Sequence, residues 1–111
     1  HSFPTRRSSD LEIDTGISGR IAQVVAEKLA VISRGRQVVC VTHLPQIASM
    51  ADRHFLIEKS SDENATHTRL SVLAGEDRTQ EIARLAGGGS GASLAHAAEM
   101  LMRASEFKSS I

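Results

Sequence analysis

The sequence predicts an α/β fold: a partial, mainly parallel sheet with flanking helices and an antiparallel hairpin at its edge. Three observations predict it. Val38-Val39-Cys40-Val41 is an unbroken apolar run, the pattern of a strand buried on both faces between layers of helices. Just before it, Ile21, Val24, Val25, Leu29 and Ile32 recur at helical period, as in a helix that lays one face on a sheet. Thr66–Val72 alternates strictly, so it reads as a half-exposed strand paired with the apolar stretch before it.

Residues 1–11, HSFPTRRSSDL, are polar and aperiodic. They resemble, residue for residue, the conceptual translation of a common sequencing-library adapter; the alternative being a natural disordered basic arm, they are set aside as a non-native scar. On that reading the natural protein begins upstream and has been cut at about Glu12. Glu12–Gly19 holds two acids, two glycines and two hydroxyl side chains and reads as a loop. Ser18 suits the N-cap of the helix carrying the Ile21–Ile32 stripe, and Gly35 suits its stop.

The strand at Val38–Thr42 ends in His43. Pro45 cannot extend a central strand but fits the first turn of a helix, here Leu44 to about Ala51. His54–Lys59 is a second apolar strand. Ser60–Ala65 is a polar turn leading into Thr66–Val72. Glu76–Ala86 reads as a short helix stopped by Gly87. The GGGSG run begins a flexible joint at 87–92. A last helix carries Leu94, Ala97, Ala98, Leu101 and Met102 and ends near Phe107. A helix between parallel strands needs a strand at each end, and TRRSSD is a poor strand. The pattern therefore points to a missing upstream strand.

Composition narrows the function classes. Thirteen basic residues balance thirteen acidic ones, so net charge gives no general pull toward nucleic acid or membrane. The 41% hydrophobic content includes three Phe and no Trp or Tyr, which predicts an aliphatic core. Nothing approaches the ~20 apolar residues of a membrane span, and the expected compartment is the cytoplasm. Cys40 is the one cysteine. Its place in the apolar run predicts a buried, inert thiol.

His43 stands where a buried strand gives way to a helix. Ligands of open α/β sheets bind in the crevice at the carboxyl ends of such strands. Glu12 and Asp14 stand where the missing strand would end, beside His43 if the two strands are parallel neighbours. Solvated loop acids are the plain reading of that pair. The sharper one is a carboxylate that orients an attacking water, with an imidazole N–H that donates to a developing phosphoryl oxygen. GGGSG lacks the Gly-Lys-Ser/Thr of a phosphate-binding loop and is read as a hinge. His54, His67 and His96 show no metal-ligand spacing. Arg53 and Arg69 have neither a basic cluster nor an aromatic platform around them for nucleic acid.

The stretches EIDTGISGRIAQVVAEKL, QVVCVTHLPQIASMADRHFLIEK and TRLSVL resemble the C-terminal end of the RecN family of bacterial DNA repair proteins. That family sits in the structural-maintenance-of-chromosomes group of ABC-type ATPases. The resemblance runs from Glu12 to about Arg103. It implies that residues 12–111 are the C-terminal lobe of a P-loop ABC-type ATPase head that binds ATP and Mg²⁺ in recombinational repair of double-strand breaks. Glu12 would be the glutamate that ends the Walker B motif. Asp14, Gly16 and Ser18 would belong to the D-loop, which meets a second head across an ATP-driven homodimer. His43 would be the switch histidine that touches the γ-phosphate. Where the family has a magnesium-holding aspartate, this chain has Leu11. The Walker A loop, the signature motif and the coiled coil would lie upstream, so the fragment by itself is expected to be inactive. DNA is the implied partner of the whole protein, and the bacterial nucleoid its implied site. The alternative is a small α/β interaction module in which the acids and the histidine are ordinary loop residues.

Overall fold

The structure, a computed structural model, describes residues 18–87 and 91–111. The scar assigned to residues 1–11 lies outside them. The element order is α1 (Gly19–Ile32), α2 (Pro45–Met50), β1 (His54–Ser61), β2 (Thr66–Leu73), α3 (Gly75–Leu85) and α4 (Gly91–Ser110). The fold is mixed α/β, with four helices and one antiparallel hairpin among the described residues.

The local signals act as their chemistry dictates. Ser18 is the N-cap of α1, and its Oγ accepts from the Ile21 N–H at 3.4 Å. Pro45 opens α2, where its missing N–H costs no helical bond. Gly87 follows α3 at φ 119 and donates its N–H to Arg84 O at 3.2 Å. Only glycine adopts that backbone without strain. The hairpin pairs His54 with Leu73 and Ser61 with Thr66. Its turn is held by Asp62, whose Oδ1 accepts from the Asn64 and Ala65 N–H groups at 2.9 and 2.8 Å. Those donors favour the ionised form and lower the Asp62 pKa.

The core gathers around α2, the shortest helix described. Ile47 and Met50 pack with Ala26 and Ala30 of α1 and Ala104 of α4. Ala48 packs with Ile82 and Ala83 of α3 and Ala97 of α4. Six residues are too few for a stable isolated helix, so tertiary contacts hold α2. Arg78 of α3 donates from Nη2 to the carbonyls of Ala48, Ser49 and Ala51 at 3.2, 3.2 and 2.7 Å. Lys108 of α4 adds a bond to Ala51 O at 3.2 Å and one to Asp52 Oδ1 at 3.1 Å. Two cations thus close a helix end that has no glycine cap, where the dipole favours positive charge.

Arg78→Met keeps much of the stem but leaves those carbonyls short of donors. In a family-length protein carrying residues 12–111 it is expected to cost on the order of 2 kcal/mol, the scale for bonds to a charged group. Arg78→Lys should recover part of the loss, because one nitrogen makes all three contacts and an ammonium also carries three N–H donors. Heat unfolding of both variants checks this, and a wild-type midpoint for Arg78→Met would remove the cap from the account.

Several expectations are corrected. Residues 37–44 form neither strand nor helix, and Val39 and Val41 are 83% and 76% exposed. A buried strand exists only with ladder partners beside it, and no described residue pairs with this run; the described sheet is therefore the antiparallel hairpin and not a parallel one. Cys40 is accordingly exposed, not buried.

The stripe on α1 is largely reversed: Ala22, Ala26 and Ala30 face the core, while Ile21, Val24, Val25 and Ile32 are exposed and Leu29 alone of the stripe packs against the core. Alanines four apart let the helix axes approach closely, so the small face wins the helical contacts. On the hairpin, Phe55, Ile57, Leu70 and Val72 form the solvent face, opposite the half-buried Leu56 and Leu73.

The joint assigned to 87–92 lies for the most part outside the described residues, and α4 begins at Gly91. In α4 itself Ala97 and Ala104 are buried, whereas Ala98 and Met102 are exposed.

Candidate functional site

His43 is held in place through the residues on either side of it. The Leu44 N–H donates to Thr42 Oγ1 at 3.0 Å, a local turn of the kind hydroxyl side chains make. Leu44 itself packs against the Ala26–Ile47 cluster. The imidazole therefore rides on a short bonded turn at the mouth of a buried helix, and it is exposed. An exposed ring on a fixed backbone can offer one N–H to a ligand oxygen at little reorganisation cost.

The start of α1 comes to the same edge. A Cβ built on Gly19 would lie 3.0 Å from Gln46 Nε2, so the Ser18-Gly19 turn sits against the first turn of α2. Ser18 is exposed there. Glu12, Asp14 and Gly16 lie outside the described residues. Of the residues singled out from sequence, Ser18 adjoins Gly19, whose neighbour is Gln46 Nε2, and His43 lies three residues before Gln46.

Sequence reasoning missed Gln46, and also Arg78. Neither has a local signal. Gln46 reads as a polar residue in a helix's first turn, and Arg78 bonds carbonyls 27 to 30 residues away.

His54 lies elsewhere, at the start of β1. Burial lowers its pKa, with Arg78 adding to the effect and Glu81 opposing it. Its Nδ1 is buried without a partner, which suits a neutral packed ring. Among the described residues, no group of three or more His, Cys, Asp or Glu could hold a metal ion. The described residues therefore do not by themselves fit Mg²⁺. They fit ATP in one respect only, an accessible imidazole. An open groove of about 550 Å³ lies at the other end of α2, lined by Arg78 and Lys108 among others. Its two cations already donate to backbone carbonyls. Among the described residues no helix is long and apolar enough to cross a membrane.

No protein-family model matches the chain. Individual relatives do. It is 44% identical over 99 residues to the DNA repair protein RecN of Bacillus subtilis (strain 168), covering 87% of this chain and 17% of that protein. It is 48% identical over 92 residues to the RecN of Treponema pallidum (strain Nichols), covering 81% of this chain and 16% of the relative. It is 45% identical over 91 residues to the RecN of Deinococcus radiodurans, again covering 81% and 16%. The chain spans about a sixth of the length of the curated relatives it matches.

Proposed function

We propose, from the relationship of this chain to the C-terminal end of the RecN family of DNA repair proteins, that it serves DNA repair as the C-terminal lobe of an ATP-hydrolysing head. One observation supports the reading above the others. The Gln46 side chain, three residues past His43, lies against the first residue of α1, and the His43 imidazole is exposed.

In this reading His43 donates an N–H to the terminal phosphate of ATP, a bond that strengthens as charge develops there. Glu12 accepts a hydrogen bond from the attacking water and orients it. Asp14, Gly16 and Ser18 lie on the loop facing the second head of a homodimer. The cradle for the phosphates and the aspartate for Mg²⁺ come from parts of the family's chain that precede these residues, since Leu11 has no oxygen to offer a hard cation. Head closure on ATP and reopening on hydrolysis would act on DNA in the bacterial cytoplasm, at the nucleoid.

The test compares two proteins. A family-length protein carrying residues 12–111 is expected to hydrolyse ATP, and the 111-residue chain to bind none by calorimetry. Micromolar Mg-ATP binding by the 111-residue chain would show that the phosphates are held within it, and would sink the division of labour. A family-length protein without hydrolysis would favour the interaction-module reading.

A further inference from the structure

Among the described residues, two buried side-chain nitrogens have no hydrogen-bond partner, His54 Nδ1 and Arg78 Nε. A buried polar atom left alone is costly. These two are complementary. Arg78 Nε always carries its proton and can only donate, whereas a neutral imidazole with its proton on Nε2 accepts at Nδ1. They also belong to one place. The Arg78 guanidinium bonds Ala51 O at 2.7 Å, three residues before His54, and its charge acts on the His54 ring.

His54 opens β1 opposite Leu73, and the charged groups that face it come from α3. Arg78 opposes a proton on the ring, and Glu81 favours one. Glu81 is already held by Arg84, at 2.8 Å from Nε and 2.6 Å from Nη2. From the connection between α2 and β1, Asp52 acts on Arg78. Burial is the largest influence on His54, and it too disfavours the charged ring. The fold therefore selects the neutral ring, the form that can accept at Nδ1.

We propose that His54 is an acid-sensitive latch: neutral, its Nδ1 accepts from the Arg78 Nε–H and holds the guanidinium over the end of α2; protonated, it lets the guanidinium go. Protonation turns the acceptor into a second donor facing a cation, so the pair must separate. What loosens is the cap on Ala48, Ser49 and Ala51, at the end of the helix that follows His43. The latch needs no ATP chemistry and stands apart from the assignment to an ATPase head.

The folded chain lowers the ring's pKa below its ordinary value of about 6.5. The released form therefore binds more protons than the latched one. The stability the latch contributes is whole above about pH 6.5 and falls away from there down to the folded value.

Hydrogen exchange of the α2 amides, corrected for the intrinsic rate at each pH, reads the latch in a family-length protein carrying residues 12–111. From about pH 7.5 to about 5.5 wild-type exchange should quicken, by up to about tenfold per pH unit for one linked proton. His54→Asn offers an amide oxygen near the place of Nδ1 and cannot titrate. Its protection should match wild type at the higher pH and stay flat on acidification. His54→Leu has no acceptor, so it should be flat as well, but about tenfold less protected from the start. Arg78→Lys has no Nε–H and should lose the acid response. A flat wild-type profile would overturn the latch, and that measurement needs no variant to fold. An acid response that persists in His54→Asn would belong to His43 or His67 and would overturn it too, as would wild-type protection in His54→Leu at the higher pH.

Discussion

His43→Ala in a family-length protein carrying residues 12–111 is expected to slow ATP turnover by about 10²–10³-fold, the usual loss for one donor aimed at developing charge. ATP affinity should fall far less. The ground-state phosphate keeps its other contacts, and only the growing negative charge misses this one. The structure makes the test a clean one. The imidazole is exposed, whereas the anchoring beside it is done by Leu44 and by the Thr42 turn. Truncating an exposed ring leaves those anchors in place, so the variant should unfold near the wild-type temperature. Steady-state turnover, ATP titration and heat unfolding together decide. Unfolding without a separate loss of turnover would make His43 a packing residue, and an unchanged rate would remove it from the chemistry.

Glu12→Gln should have a comparable effect by a different route. The amide keeps the shape and can still touch a water, but it cannot take the water's proton or attract it as an anion does. Loss of a positioned acid–base group typically costs about 10²–10⁴-fold in rate. Binding should persist, so the two heads should close on ATP and stay closed. The signature is a dimer that survives gel filtration with Mg-ATP while phosphate release stops. A variant that hydrolyses ATP at the normal rate would exclude Glu12 as the residue that orients water.

Much of the local structure was legible because its causes are local. Ser18 announces α1, Pro45 announces α2, and Gly87 ends α3, each through a backbone requirement that one or two residues express. The hairpin was equally plain from the alternation of Thr66–Val72 and from the polar turn before it. What failed was any inference about which face meets what. Ile21, Val24, Val25, Leu29 and Ile32 form a good helical stripe, yet of these only Leu29 packs on the described core, which uses Ala22, Ala26 and Ala30. A helix with two usable stripes is ambiguous until its neighbours are known.

Val38–Val41 fails for a related reason. Its composition fits a strand buried on both sides, but a strand is completed by partners, and none of the described residues supplies them. On the proposed reading those apolar faces belong to the interior of a larger head, so the sequence is written for an environment wider than the described residues. As for the candidate site, His43 was singled out as the residue ending a buried strand, and residues 37–44 form no strand. The Gly19–Gln46 approach was not legible, because it joins residues 27 positions apart with no periodic or charge signal linking them.

Lys108 has a consequence for anyone handling this chain. Its ammonium reaches Ala51 and Asp52, while its backbone carbonyl accepts from Arg34 Nη1 at 3.4 Å. One residue three places from the carboxyl end thus ties together the close of α1 and the close of α2, the helix on which His43 rides. Affinity tags, fluorescent fusions and degradation signals are commonly appended at that end. An appendage there sits three residues from this clasp, and heat unfolding with and without it measures whether the clasp is disturbed. A label for following this lobe belongs on the hairpin turn at residues 62–65, where the chain is exposed and no helix depends on it.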